Sequence, residues 1–191
     1  MRNLPASVRA RLLSLAKNEN IPFQRILTLY KQEGLLHRIV KTRHEQDVVL
    51  KGGLLFYQLQ GLIARPTKDI DLLGSERNDS ETTIQEILAE ACSVDINDGL
   101  QFDSASIEVK PIAGQTDHGG VRAWVTVYLG SARTRLQTDM GVGDVITGGP
   151  VIRTYRTLLG SRSFSIWTYT NETIVAEKLE AVVSLGTVNS R

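Results

Sequence analysis

The spacing of apolar residues changes along the chain, from a helical spacing near the N-terminus to a strand-like alternation further on. Apolar residues recur every three or four positions over residues 5–18, 23–40 and 80–93, which predicts three helices. Residues 121–128 alternate between small apolar residues and polar or larger ones. Residues 134–140 follow after a Gly-Ser turn, which predicts an antiparallel pair of strands with one buried face. The pattern therefore predicts helices packed around a sheet.

Residues 50–73 combine a Lys-Gly-Gly turn, a short apolar helix and a strand that contains Asp69 and Asp71. Residues two apart point to the same face of a strand, so these two carboxylates lie side by side. Adjacent carboxylates repel each other unless a cation lies between them, and Mg²⁺ prefers oxygen ligands. Gly52 and Gly53 let backbone N–H groups approach a phosphate at the start of a helix. Either feature alone is more often structural, but their order and short separation favour nucleotide chemistry.

The second strand of the antiparallel pair carries four polar residues on one face. They are Arg133, Arg135, Gln137 and Asp139, which alternate along the chain. A face of this kind either meets solvent or lines a site.

A helical spacing returns in residues 171–186. Lys178 lies four positions from both Ile174 and Val182, so we expect it on the face toward the protein, with Glu177 on the outer side. A lysine on a buried face needs an anion. That anion is either a ligand phosphate or a structural aspartate.

The composition allows a sizeable core but does not by itself indicate a partner. The chain has 191 residues, of which 41% are hydrophobic, and this suits one domain or one domain with a small helical attachment. Its net charge of +1 gives no overall attraction to nucleic acid. Residues 1–50, however, hold nine lysines and arginines against four aspartates and glutamates. This basic segment either suits a polyanionic substrate or is a solvated helix surface.

The sequence favours a reducing cytoplasm and no membrane. Its single cysteine, Cys92, cannot form an internal disulfide and is best interpreted as a small buried hydrophobe. The N-terminus lacks the apolar region of a signal peptide, and no stretch approaches 18 apolar residues.

Four stretches resemble the nucleotidyltransferase-like toxins of the AbiEii/AbiGii family, within the DNA polymerase beta-like nucleotidyltransferase superfamily. Three of them are K-G-G from Lys51, R-P-T-K-D-I-D-L over residues 65–72 and A-E-K-L-E-A over residues 176–181. The fourth, Q-T-D-M-G-V-G-D over residues 137–144, is similar to the stretch that carries the superfamily's third carboxylate. The resemblance covers roughly residues 35–191.

The resemblance implies a Mg²⁺-dependent nucleotidyltransferase that transfers nucleotides from a nucleoside triphosphate to an acceptor such as tRNA. It would be the toxin of a toxin–antitoxin or phage-defence pair, with a cognate antitoxin as partner. Mg²⁺ would be held by Asp69, Asp71 and Asp139, with Asp144 as the weaker choice for the third carboxylate. Asp69 and Asp71 would be catalytic together with Lys178, which would neutralise the leaving pyrophosphate. The implied nucleotide-binding residues are Lys51, Gly52, Gly53, Arg65, Thr67 and Lys178.

The resemblance also implies the nucleotidyltransferase fold, an α/β (α+β) protein with a mixed, largely antiparallel sheet flanked by helices. We expect residues 1–45 to form a helical N-terminal segment and residues 46–191 to form the core. In the family the core continues beyond this point, with a Lys-Asp-x-x-Asp stretch that adds an aspartate to the active site, so we expect this chain to be a fragment, a proteolysed form or a degenerate copy.

Two other functions are compatible with the same fold. One is a catalytically degenerate module that binds nucleotides or another protein; the absence of the Lys-Asp-x-x-Asp stretch favours it and the intact Asp-x-Asp pair disfavours it. The other is a nucleotidyltransferase that acts on a small molecule such as an aminoglycoside, which uses the same core.

Overall fold

Five α-helices and seven strands make up the part of the protein that the computed structural model describes, residues 3–74, 81–112, 120–160 and 162–185. The helices are α1 (Leu4–Asn18), α2 (Phe23–Ile39), α3 (Gly52–Gln60), α4 (Glu81–Ser93) and α5 (Asn171–Leu185). The strands are β1 (Val48–Lys51), β2 (Asp69–Gly74), β3 (Leu100–Pro111), β4 (Gly120–Leu129), β5 (Ala132–Gly141), β6 (Val151–Arg156) and β7 (Ser163–Thr168). None of the helices within these ranges is long and apolar enough to cross a membrane.

The strands form one sheet in the order β3-β4-β5-β2-β1-β7-β6. β2 runs parallel to β5 and β1 runs parallel to β7, whereas the other neighbours are antiparallel. The predicted α/β class is confirmed, but the sheet is mixed rather than largely antiparallel. The two parallel pairings join strands that are distant in the sequence, so the local alternation of residues could reveal only the hairpin of β4 and β5.

The two faces of the sheet differ in polarity. On β4 the odd-numbered residues from Val121 to Leu129 are buried, whereas Arg122, Trp124 and Tyr128 are half-buried. Helix α4 packs on β3 and β4, and α2 packs on β5. The apolar residues of these helices and of the odd-numbered face of β4 belong to one core. The opposite face, which we call the polar face, carries the even-numbered residues of β4 and holds the candidate site.

Helix α2 packs in this core, so two basic side chains of the N-terminal segment are buried. Lys31 is fully buried and donates hydrogen bonds to the Ala132 carbonyl and to Thr134 Oγ1, both at 2.7 Å. Arg38 is also buried. Both interpretations of this segment, as a basic surface for a polyanion and as a solvated helix surface, are therefore wrong for Lys31 and Arg38. The boundary expected near residue 45 stays a prediction.

A buried ion pair joins α2 to the loop before β3. The Arg38 guanidinium donates two hydrogen bonds to the two carboxylate oxygens of Asp98, at 2.7 and 2.9 Å. The same guanidinium also donates to the carbonyls of Gly34 and Val94, both at 3.0 Å. Such a pair depends on both partners, because removing one leaves the other charged and buried.

We predict that Arg38→Met lowers the free energy of unfolding by about 3–5 kcal/mol, since Asp98 then lacks its counter-charge. The matched control is Arg43→Met, because Arg43 forms an ion pair with Glu90 at 2.8 Å but is 68% exposed. Exposed pairs contribute about 1 kcal/mol or less. Urea denaturation followed by circular dichroism measures both variants, and equal losses in the two would contradict the prediction.

Candidate active site

Three carboxylates meet on the polar face where β2 and β5 pair in parallel. Asp69 and Asp71 point to this face because they are two residues apart on β2, and Asp139 of β5 lies directly opposite Asp71. One carboxylate oxygen from each residue lies within 4.8 Å of the others. We call these three residues the carboxylate cluster. Asp139 thus lies where the resemblance implied that a third carboxylate would be.

Asp144, the weaker choice for the third carboxylate, does not belong to the carboxylate cluster. It lies in the loop after β5, where its Oδ2 accepts hydrogen bonds from the Lys51 ammonium and, at 2.7 Å, from the Tyr169 hydroxyl.

Burial and the repulsion between neighbouring carboxylates both act on Asp71 in the carboxylate cluster. Burial raises the pKa of Asp71, and the negative charges of Asp69 and Asp139 raise it further, against a lowering effect of the Gly53 N–H and Lys51. A hard divalent cation would relieve this repulsion, because carboxylate oxygens are the ligands that Mg²⁺ prefers. The donor set therefore fits a metal ion of that kind.

A fourth charged residue, Arg122, completes this side of the site. It lies opposite Asp139 on β4, and its guanidinium donates to both oxygens of the Asp139 carboxylate, at 2.8 and 2.7 Å. Gln137 donates to the same carboxylate at 3.1 Å. Sequence reasoning missed Arg122, although the alternation of β4 already placed it on the half-buried face. The signal that was lacking is the pairing of β4 with β5, which brings it opposite Asp139.

The glycine turn brings the start of α3 against the carboxylate cluster. Gly52 has a φ of +64°, and a Cβ on it would collide with the carboxylate of Asp71. A Cβ on Gly53 would lie 2.5 Å from Cβ of Thr67. The Gly53 N–H donates to Asp71 Oδ2 at 3.4 Å, and the Thr67 hydroxyl donates to Asp69 Oδ1 at 2.9 Å. The positive end of the helix dipole therefore lies beside the carboxylates, in a place where only glycine fits.

Lys51 of β1 lies opposite Asp71 of β2 in the sheet. Two acidic residues outside the carboxylate cluster hold its side chain in place. Its ammonium donates to Asp144 and, at 3.2 Å, to Glu177 Oε1. Burial lowers the pKa of Lys51, but the hydrogen bond to Asp144 and the charges of Glu177 and Asp144 outweigh burial and raise it. Lys51 is therefore a fixed positive charge at the edge of the site.

Helix α5 is rotated relative to the orientation predicted for it. Glu177, expected on the outer side, faces the sheet and binds Lys51, whereas Lys178 is exposed. The Lys178 ammonium lies 5.1 Å from the centre of the Phe56 ring on α3. The prediction was wrong because it took the apolar residues of α5 as a packed face. Ile174 is buried as expected, but Val182, on which the prediction also relied, is 59% exposed, and Glu177 rather than Lys178 forms an ion pair toward the sheet, with Lys51.

The remaining candidates lie at the edge of the site or outside it. Arg65 is exposed on the segment that leads into β2. Cys92 is half-buried, and burial raises the pKa of its thiol to about 11, so it is protonated at neutral pH. A cavity of about 590 Å³ lies between α3 and strands β6 and β7, and no residue of the carboxylate cluster lines it.

Carboxylates from two neighbouring strands, set against a glycine turn, are the arrangement that the resemblance to the nucleotidyltransferase superfamily implied. Residues 34–191 match the family model described as nucleotidyl transferase AbiEii toxin, type IV toxin–antitoxin system. The chain therefore belongs to the AbiEii nucleotidyltransferase toxin family, and the resemblance inferred from the sequence is confirmed.

Two solved structures from Helicobacter pylori are similar to this chain. JHP933 has 18% sequence identity and a TM-score of 0.49, and the match covers 79% of this chain and 56% of JHP933. The second, described as a candidate nucleotidyltransferase, has 17% identity and a TM-score of 0.49, over 79% of this chain and 57% of the other. The matched region thus spans little more than half the length of either neighbour. No curated protein matches the chain.

We predict that Gly52→Ala weakens the binding of Mn²⁺ or Mg²⁺ by about 10–100-fold, the range typical when a group that orients a metal ligand is lost. The added Cβ must displace the Asp71 carboxylate. The matched control is Gly61→Ala, since Gly61 also has a positive φ but has open space around it. Both variants should lose about 1–3 kcal/mol of stability from backbone strain. Calorimetric titration that shows equal metal affinity in the two variants would contradict this prediction.

Proposed function

We propose that this protein is a Mg²⁺-dependent nucleotidyltransferase that transfers a nucleotide from a nucleoside triphosphate to a nucleic-acid acceptor, with tRNA as the acceptor implied by the resemblance. The observation that carries the proposal is the carboxylate cluster, whose three oxygens lie within 4.8 Å beside the glycine turn. Membership of the AbiEii toxin family supports its role as the toxin partner of a cognate antitoxin in the cytoplasm.

In this proposal Asp69, Asp71 and Asp139 hold the metal. Bound Mg²⁺ would lower the pKa of the attacking hydroxyl and offset the charge of the phosphates. The positive end of the α3 dipole would bind the terminal phosphates beside the carboxylates, and the Gly53 N–H would exchange its long hydrogen bond to Asp71 Oδ2, at 3.4 Å, for one to a phosphate oxygen. Lys51 adds a positive charge on this side of the site, and its pairs with Asp144 and Glu177 hold it there.

Lys178 and Arg65 would act from the rim. The Lys178 ammonium lies over Phe56, one helical turn along α3 from the glycine turn, and its exposed side chain can reach toward phosphates bound there. Its charge would then stabilise the leaving pyrophosphate. Arg65, exposed beside β2, would hold the nucleotide or the acceptor.

The test is incubation of the protein with Mg²⁺, each labelled nucleoside triphosphate in turn, and total tRNA. We predict labelled tRNA from the wild type and none from the double variant Asp69→Asn with Asp71→Asn, which should keep its fold. Glu86→Gln, at a carboxylate that is 56% exposed and outside the site, should behave as the wild type. A double variant that still labels tRNA would remove catalysis from these two residues.

The identity of the molecule that becomes labelled in the same assay separates the alternative functions. Label that enters a small molecule instead of tRNA would favour the small-molecule enzyme. Nucleotide binding by the folded wild type without any transfer would favour the degenerate module. A small antitoxin-like reading frame immediately upstream in the genome would support the toxin assignment.

For Lys178→Met we predict a fall in transfer rate of about 10²–10³-fold with little change in nucleotide affinity, because leaving-group charge grows only in the transition state. Since Lys178 is exposed, its loss should leave the melting temperature nearly unchanged. The control is Lys41→Met, at another exposed lysine that lies after α2. Single-turnover kinetics would show equal rates in the two variants if Lys178 had no catalytic role.

A further inference from the structure

Trp124 lies on the polar face with two cations beside its ring. Its side chain is half-buried on β4, between β3 and β5. The Arg135 guanidinium lies 4.9 Å from the ring centre and the Lys110 ammonium 5.8 Å from it. Arg135 also forms an ion pair with Glu108 at 2.7 Å, in which both side chains are about half exposed. Exposed ion pairs contribute about 1 kcal/mol or less, so Arg135 can exchange Glu108 for another anion at little cost.

The sheet register connects this group to the carboxylate cluster. In one row across the polar face Trp124 lies opposite Gln137, which lies opposite Asp69. In the next row Arg122 lies opposite Asp139. Neighbouring strands are about 4.8 Å apart, so Trp124 is on the order of 10 Å from Asp69.

Trp124 and the glycine turn lie on opposite sides of the carboxylate cluster. The glycine turn is at the end of β1, on one flank of β2, whereas Trp124 is two strands away on the other flank. Nucleotidyl transfer needs the attacking and leaving oxygens roughly in line. If the pyrophosphate leaves toward the glycine turn, the acceptor hydroxyl has to arrive from the side of β4 and β5.

We propose that Trp124, Arg135 and Lys110 form the acceptor subsite, which binds the unpaired nucleic-acid strand that carries the attacking hydroxyl. Trp124 and the Arg135 guanidinium provide surfaces on which a base stacks, and Lys110 and Arg135 contact the backbone phosphates. Stacking on an aromatic ring tolerates any base, so the subsite selects an unpaired strand rather than a sequence. This inference rests on the proposed function and names the residues that bind the acceptor at the same site.

The first experiment measures binding alone, by fluorescence anisotropy of a labelled single-stranded ten-nucleotide RNA with the full chain, without nucleotide or metal. We predict that Trp124→Leu weakens binding by about 10-fold or more, as expected for the loss of one stacked base, and that Trp124→Phe retains most of the affinity. The matched control is Trp167→Leu, because Trp167 is a half-buried tryptophan on β7, on the other flank of the cluster. Its affinity should equal that of the wild type.

A second arm tests the cations. Arg135→Gln and Lys110→Gln should each make the affinity less dependent on salt, by about one unit of the slope of log K against log salt, if each contacts one phosphate. Unchanged slopes in both variants would overturn the assignment of these residues to the backbone.

Several results would overturn the role of Trp124: equal RNA affinity in Trp124→Leu and Trp167→Leu, equal binding of single strands and of blunt duplexes, or a loss of triphosphate affinity instead of RNA affinity. Label transferred to protein hydroxyls with unchanged efficiency in Trp124→Leu would also overturn it. Transfer to tRNA that is unaffected by Trp124→Leu contradicts the subsite and leaves the proposed function standing. RNA binding that depends on Trp124 in a protein without transferase activity supports the subsite and contradicts the proposed function.

Discussion

Three carboxylate groups lie within 4.8 Å of one another where β2 and β5 pair in parallel, and their repulsion has to be offset for the chain to fold around them. The row of side chains that crosses the polar face at this point shows how this is achieved. Arg122 holds both oxygens of Asp139 on one side, and Lys51 lies opposite Asp71 on the other. The pKa of Asp71, at the β2 end of the cluster, nevertheless stays raised, first by burial and then by the charges of Asp69 and Asp139. That end of the cluster faces the glycine turn, where we propose that metal and phosphates bind.

The sequence was most informative where a local spacing determines geometry. Two aspartates two residues apart on a strand must share a face, and a Gly-Gly pair before an apolar run predicts a helix start that a ligand can approach. The structure adds the physical reason for the first glycine, since any Cβ on Gly52 would strike Asp71. The third carboxylate could not be found in this way. Asp139 was assigned through the family resemblance, because its position depends on a parallel pairing between strands that are more than 60 residues apart in the sequence.

Elements placed by long-range contacts were predicted poorly. Arg122 of β4, which neutralises Asp139, was not predicted as a site residue. Strand β6 was not identified because its residues show no clear period. Helix α5 was predicted in the wrong orientation, since apolar spacing alone identified its inner face. In the structure Ile174 is buried and Glu177 forms an ion pair with Lys51, while the apolar residues Val182 and Val183 are exposed. Polar contacts between distant elements thus decide the details of the site, whereas periodicity decides the fold class.

The most direct test of the account is to locate the metal by anomalous scattering in crystals grown with Mn²⁺ and a nucleoside triphosphate. We predict a peak at bonding distance, about 2.0–2.2 Å, from oxygens of Asp69, Asp71 and Asp139, with the triphosphate between that peak and Gly53. An ordered triphosphate with the only metal peak at Asp144 and Glu177, or with no metal peak at the carboxylate cluster, would contradict the claim that these three carboxylates form the catalytic centre.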